Sequence, residues 1–157
     1  MPYKIVVGII SMLLCVLVGY FLSMKYSDKR KFYGDFVDFN NTLKTEVAFS
    51  KSSIIKILQN SNKENSLFYT CVSKYFFDSE VKIALNKAFS QEDVEFLNRY
   101  LKSVGVSDKD SQIAFINSVE STLNDKYKLV ANDEKKYRSL LVKLGFFIGL
   151  IAFILIV

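Results

Sequence analysis

Two stretches without a charge frame this chain and limit what it can become. Ile5 to Met24 and Leu144 to Val157 contain 34 residues and no Asp, Glu, Lys or Arg, while all 16 acidic residues lie between them. Twenty apolar residues in a helix, at about 1.5 Å each, reach roughly the 30 Å of a bilayer core. Residues 1–24 therefore read as a transmembrane anchor. The run is too long for the core of a cleaved signal peptide, and it exits through Leu22, Ser23, Met24 and Lys25 without a small-residue cleavage site. The second run becomes long enough only when counted from Leu140, which places Lys143 about one turn inside, where its long stem can snorkel to the headgroups. FFIGLIAFILIV offers no polar face, so residues 140–157 read as a second membrane helix, with a buried helix of a soluble core as the alternative.

The residue types that are missing exclude whole classes of chemistry. With no histidine there is no imidazole base, no Ser-His or Cys-His pair and no histidine metal ligand. Outside the apolar ends only Gly34 and Gly105 remain, too few for a phosphate-cradling loop. Cys15 and Cys71 have neither metal-site nor disulfide-framework spacing. The expectation is a chain that is not an enzyme, with no catalytic residues, no metal and no cofactor.

Charge orients the chain. Lys25, Lys29, Arg30 and Lys31 follow the first apolar run, and Lys126, Lys128, Lys135, Lys136 and Arg138 precede the second, whereas beyond the two runs there is only Lys4. By the positive-inside rule residues 25–139 are expected in the cytoplasm. Cys71 should then be protected from an impermeant thiol reagent in intact cells. The same cations, with Lys143, could attract anionic lipid, although setting topology alone would explain them. Nucleic acid is not expected as a partner, because residues 25–139 hold 19 basic against 16 acidic residues and carry no separate basic stripe.

The middle has no proline and its apolar residues recur at helical period. Phe32, Phe36, Phe39, Leu43 and Val47 line one face of a helix continuing from the first run, which Gly34 could kink. Ser53–Gln59 is a short apolar segment, and the Asn/Ser-rich stretch Asn60–Ser66 reads as a loop. Leu67–Phe77, Glu80–Phe89 and Gln91–Val104 read as helices, the last beginning at Ser90 with Asp93 three residues on and stopping at Gly105. A long helix, capped by Ser107, then carries Ile116, Val119, Leu123, Tyr127, Val130, Tyr137 and Leu141 toward the second run, with Glu134 interrupting the stripe. The fold class is all-α: an antiparallel helical bundle between two transmembrane helices, whose long first and last helices form a membrane-proximal stalk.

Three groups of residues are candidates for function. Gly145 and Gly149 form GxxxG, and Ser11, Cys15 and Gly19 repeat small residues every four, so either run could pack closely against another helix; glycine is also simply common in membrane helices. Glu92, Asp93 and Glu95 open one helix, and Asp108 and Asp110 the next. They favour the helix dipoles or form an acidic docking edge beside the Gly105–Gln112 turn. The dense aromatics are mostly core, and any left on the surface would be contact sites.

The order of these segments resembles the stage III sporulation protein AB family. The likeness lies in LNRYLKSVGVSDKD (Leu97–Asp110) with Gln112, in EKKYRSLLVKLGFFIGL (Glu134–Leu150), and in Leu43, Glu46, Val47 and Phe49 ahead of Ile54. Gly105, Ser107, Asp108 and Gln112 match the family's glycine, serine or threonine, aspartate and glutamine loop. The chain departs from the family in having Ser52–Ile54 where a proline and leucine are usual, in lacking tryptophan, and in lacking a glycine near Leu141. The resemblance implies an endospore-forming bacterium, with the protein in the mother-cell membrane facing the forespore as a non-enzymatic subunit of a transenvelope channel complex. It also implies a cytoplasmic domain similar to the platform proteins of type II secretion and type IV pilus machines. The implied partners are other stage III sporulation channel proteins and a secretion-type ATPase, stage III sporulation protein AA. A two-span tether or receptor that binds lipid or another soluble partner is the competing reading.

Overall fold

The computed structural model describes residues 2–49, 54–61, 63, 66–77, 85 and 88–156. Five helices occupy them: α1 Pro2–Phe49, α2 Ile54–Asn60, α3 Leu67–Phe77, α4 Gln91–Ser103 and α5 Lys109–Ile156. No strand occurs among the described residues. At about 1.5 Å per residue the two 48-residue helices are each roughly 70 Å long, and α1 passes Gly34 without interruption. The chain divides into two compact units, one of Met1–Asp28 with Leu129–Val157, the other of Lys29–Lys128.

The first unit is a hairpin of two antiparallel helical segments with small residues at the seam. A Cβ on Gly19 would lie 2.6 Å from the Leu141 carbonyl oxygen, and one on Gly145 would lie 2.7 Å from that of Cys15. Backbone therefore meets backbone, which only glycine permits. Gly149 lies against Met12 in the same way, and Gly8 against the Phe153 ring. Ser23 is buried, but its hydroxyl donates to the Tyr20 carbonyl, so it leaves no open donor.

Everything else on the hairpin turns outward. Phe21, Leu13, Phe147, Ile151 and Leu155 are all more than half exposed, and most residues of both apolar segments are likewise outside. A helix of a soluble core would be buried, whereas outward apolar surfaces of this extent suit lipid. Where α1 and α5 become polar, the Tyr26 and Tyr137 rings stack with centroids 4.9 Å apart, and Lys25 and Lys136 lie over them at 5.0 and 5.5 Å. Aromatic rings with basic neighbours suit the headgroup level.

The second unit is built on aromatics. Phe36, fully buried, stacks on Phe68 of α3 with centroids 4.7 Å apart and meets Tyr100 of α4 edge-on at 4.7 Å. Phe32 and Phe39 contact Phe68 from either side, and Phe115 of α5 reaches Tyr100. Leu97, Leu101, Ile116 and Leu123 close the interior, and α2 packs on α3. The dense aromatics are thus mainly core, although Phe77 is exposed; the side chain of Phe49 lies outside the described residues.

Local signals set the boundaries. Ser90 and Asp93 form a reciprocal capping box at the start of α4, and Gly105 takes a positive φ of 81° two residues after its end. Two expectations change. Asp108, not Ser107, caps α5: its carboxylate accepts from the Ser111 N–H and its carbonyl from the Gln112 N–H. The expected Glu80–Phe89 helix falls largely outside the described residues, and its described positions Leu85, Ala88 and Phe89 are not helical.

Gly145→Ala should force the hairpin seam apart, lowering stability by about 1–3 kcal/mol. Gly34→Ala meets only the Tyr127 ring, at 3.4 Å, and should be neutral or add about 0.5–1 kcal/mol through helix propensity. Thermal unfolding of both variants in one detergent, followed by circular dichroism, checks the contrast. A Gly145→Ala protein that melts like the parent would contradict the close approach.

Candidate functional site

The residues singled out around α4 and the following turn divide into an inward and an outward set. Position decides which: Asp93, Leu97, Tyr100, Leu101 and Val104 are separated by helical steps that keep them on one face, and all five are buried. Asp93 is only 6% exposed. Its carboxylate accepts from Lys29 Nζ at 2.7 Å, from the Tyr33 hydroxyl at 2.5 Å and from the Ser90 N–H at 2.9 Å. Burial by itself would raise its pKa, but these donors outweigh burial and hold the carboxyl down at about 2. Burial and the same carboxylate push the Tyr33 hydroxyl far up, so it remains a donor.

Gln112 is the second inward residue. Its Oε1 accepts from the Gly105 N–H at 3.0 Å and from the Ser107 hydroxyl at 3.4 Å, which ties the turn to the first turn of α5. Its Nε2 has no hydrogen-bond partner among the described residues. Beside it lies a cleft of about 370 Å³ whose walls include Leu43, Val47, Ile54 and Phe76. Asp93 and Gln112 therefore hold the fold from inside.

Glu92, Glu95, Gly105, Ser107, Asp108 and Asp110 are exposed. Glu92 pairs loosely with Lys126 at 3.2 Å, and Glu95 accepts from Gln91. Hydrogen bonds from the Ser111 hydroxyl and N–H lower the pKa of Asp108, the mark of a helix cap.

The basic residues divide in a similar way. In the hairpin unit Lys25, Lys135, Lys136 and Lys143 are exposed, and Arg138 lies 3.8 Å from the buried Glu134. In the helical unit Lys31 is exposed, Arg30 is half-buried, and Lys29 is committed to Asp93. Of the small residues, Cys15, Gly19, Gly145 and Gly149 meet within one hairpin, and Ser11 is half-buried beside them.

Several structural residues escaped the sequence reading. Lys63 donates to Asp35 and Asp38, and the Ser66 hydroxyl also donates to Asp35, which fixes the start of α3 on α1. Burial would lower the Lys63 pKa, but its two carboxylates prevail and raise it. The Tyr100 hydroxyl donates to Asn40 Oδ1 at 3.0 Å inside the core. Cys71 is buried and its thiol is pushed up, by burial first and only partly offset by Lys74. Its protection from a reagent would therefore report packing and not topology.

The family model for stage III sporulation protein AB matches residues 4–157, essentially the whole chain. The chain belongs to that family. Neither a curated protein nor a solved structure matches it. Sporulation is thus the process in which it belongs, and its two helices are each long and apolar enough to cross a membrane.

The Asp93 carboxyl sets an acid limit on stability. Its pKa is about 2 in the fold, against about 4 for a free aspartate, so between those values the unfolded chain holds a proton that the folded chain does not. The contribution, on the order of 2 kcal/mol, is present above pH ~4 and is lost as pH falls toward 2. Asp93→Asn should be less stable by a similar amount at pH 7, and its deficit should shrink over that window. Denaturant unfolding of both proteins from pH 7 to 2 measures it; a deficit that does not change with pH would assign the loss to packing.

Proposed function

We propose that this member of the stage III sporulation protein AB family is a non-catalytic membrane scaffold in a transenvelope channel complex. It lies in the mother-cell membrane facing the forespore, with Lys29–Lys128 on the cytoplasmic side, where it docks a secretion-type ATPase, stage III sporulation protein AA. The observation that carries this reading is a separately packed helical unit inserted between two apolar helix segments, with Glu92 and Glu95 of α4 left outside. The basic residues flanking the apolar segments support the orientation. The absence of histidine favours a scaffold over a catalyst. The Glu92–Glu95 edge and the Gly105–Asp110 turn are the docking positions.

The detergent-solubilised full chain should co-purify the ATPase in the presence of nucleotide. Reversing Glu92 and Glu95 to lysine should leave melting nearly unchanged, since exposed substitutions typically cost under about 0.5 kcal/mol. Affinity should fall about tenfold at low salt and become less salt-dependent. Unchanged affinity would remove this edge from the interface, and consistent failure to recover the ATPase would favour a tether or receptor.

For orientation, a cysteine is placed at the exposed Ser118 in a chain whose Cys15 and Cys71 are replaced. An impermeant thiol reagent should not label it in intact, unengulfed cells. Labelling would refute the cytoplasmic placement.

A further inference from the structure

Between α4 and α5 of the helical unit runs an open groove of about 650 Å³. The two helices are antiparallel there, with Glu92 opposite Lys126 at one end and Tyr100 against Phe115 toward the other. Glu92, Phe96, Arg99 and Ser103 face it from α4, and Phe115, Val119, Thr122 and Lys126 from α5. Each set advances by three or four residues, so each wall is about 17 Å long, room for three turns of a further helix.

The floor is apolar and incompletely covered: Phe96, Phe115 and Val119 are only half-buried beside the fully buried Tyr100. The rim is cationic. Arg99, Lys102 and Lys126 line it against the single acid Glu92, and Lys126 is already shared between Glu92 and the Phe96 ring, 5.3 Å away. Arg99 and Lys102 have no acidic partner among the described residues, and Glu95, one turn before Arg99, is bonded to Gln91.

We infer that this groove docks an acidic amphipathic helix of a partner protein, with its apolar stripe on Phe96, Phe115 and Val119 and its carboxylates against Arg99 and Lys102. Helix-in-groove recognition needs an apolar floor read at helical spacing, and the two unpaired cations select the sign of the flanking charge. A fully basic or neutral helix would leave them facing no countercharge. The inference is independent of the ATPase reading, since it specifies the chemistry of the segment and not the protein that carries it.

The test uses the full chain in nanodiscs of zwitterionic lipid, with empty discs as the blank. The probes are two stapled, fluorescent 14-residue helices that share a leucine stripe at i, i+4, i+7 and i+11, one flanked by glutamates and the other by lysines. The glutamate helix should bind, and more weakly as salt rises. Arg99→Glu with Lys102→Glu should weaken it about tenfold and admit the lysine helix. Both residues are exposed, so the fold should persist, with only a small drop in melting from the reversed charges near the C-terminus of α4. Thr122→Trp, which fills the groove and keeps its charges, should also abolish binding. Equal binding of both helices, no binding of the glutamate helix at about 1 mM, or indifference to both variants would each overturn the inference. Disulfide formation between two copies carrying Ser103→Cys, with the probe excluded, would assign the groove to a second copy and overturn it as well.

Discussion

The helical unit depends on the burial of one aromatic stripe. Phe32, Phe36 and Phe39 lie on the same face of α1, and Phe36 and Phe39 each meet rings from both α3 and α4. With no sheet among its described residues to organise the core, each short helix must find its place by packing onto a long one. Aromatic side chains do this with large area and few rotamers. Phe68 is seated among three phenylalanines, which fixes both the rotation of α3 and its position along α1. Truncating such a ring in a core typically costs about 3–5 kcal/mol, comparable with the whole stability of many small domains.

Apolar packing leaves sliding and rotation poorly specified, and polar nodes, some buried and some at the edge of the core, supply the missing constraint. Lys29 and Tyr33 on α1 grip Asp93 on α4. Asp35 and Asp38 on α1 hold Lys63, and Asp35 also holds Ser66 ahead of α3. Tyr100 reaches Asn40 across the same interior. A buried carboxylate is tolerable because three donors converge on it, two from one face of α1 and one from the backbone at the start of α4. Loss of register by one residue would leave a charge without partners, so these nodes penalise alternative packings more than they add to stability.

Much of this was legible in the sequence. The bounds of α3, the start of α4 at Ser90 and the two apolar segments follow from period, capping residues and the distribution of charge. The inward roles of Lys29, Asp93 and Gln112 were not read, because lysine and aspartate near a membrane or a helix start have ready explanations in topology and dipoles. A signal was present. Lys29 precedes Phe32, Tyr33 and Phe36 by three, four and seven residues, Asp93 precedes Leu97 and Tyr100 by four and seven, and Gln112 precedes Ile116 by four. Each polar residue sits on its helix's apolar face. What no periodicity could supply is the partner: Lys29 and Asp93 are 64 positions apart, and their meeting is a consequence of the tertiary fold. The change of cap from Ser107 to Asp108 has a local cause. Ser107 turns its hydroxyl to Gln112, which leaves the next carboxylate to take the free N–H groups.

These anchors also determine what α4 can do with its outer face. Its N-terminal turn is fixed through Asp93 to Lys29 and Tyr33, and the turn after its C-terminus is fixed through Gly105 and Gln112 to α5. A 13-residue helix held at both ends presents its outward side chains on a rigid base, so a partner need not order the backbone when it binds. The outer residues Glu92, Glu95, Arg99 and Lys102 belong to one such helix yet carry acid toward its start and base toward its end. That order matches the helix dipole, and it also gives the outer face of α4 two electrostatically distinct ends within about three turns. A scaffold gains specificity from this arrangement: a segment of the wrong charge order meets repulsion at both ends of α4, whatever apolar area it could bury.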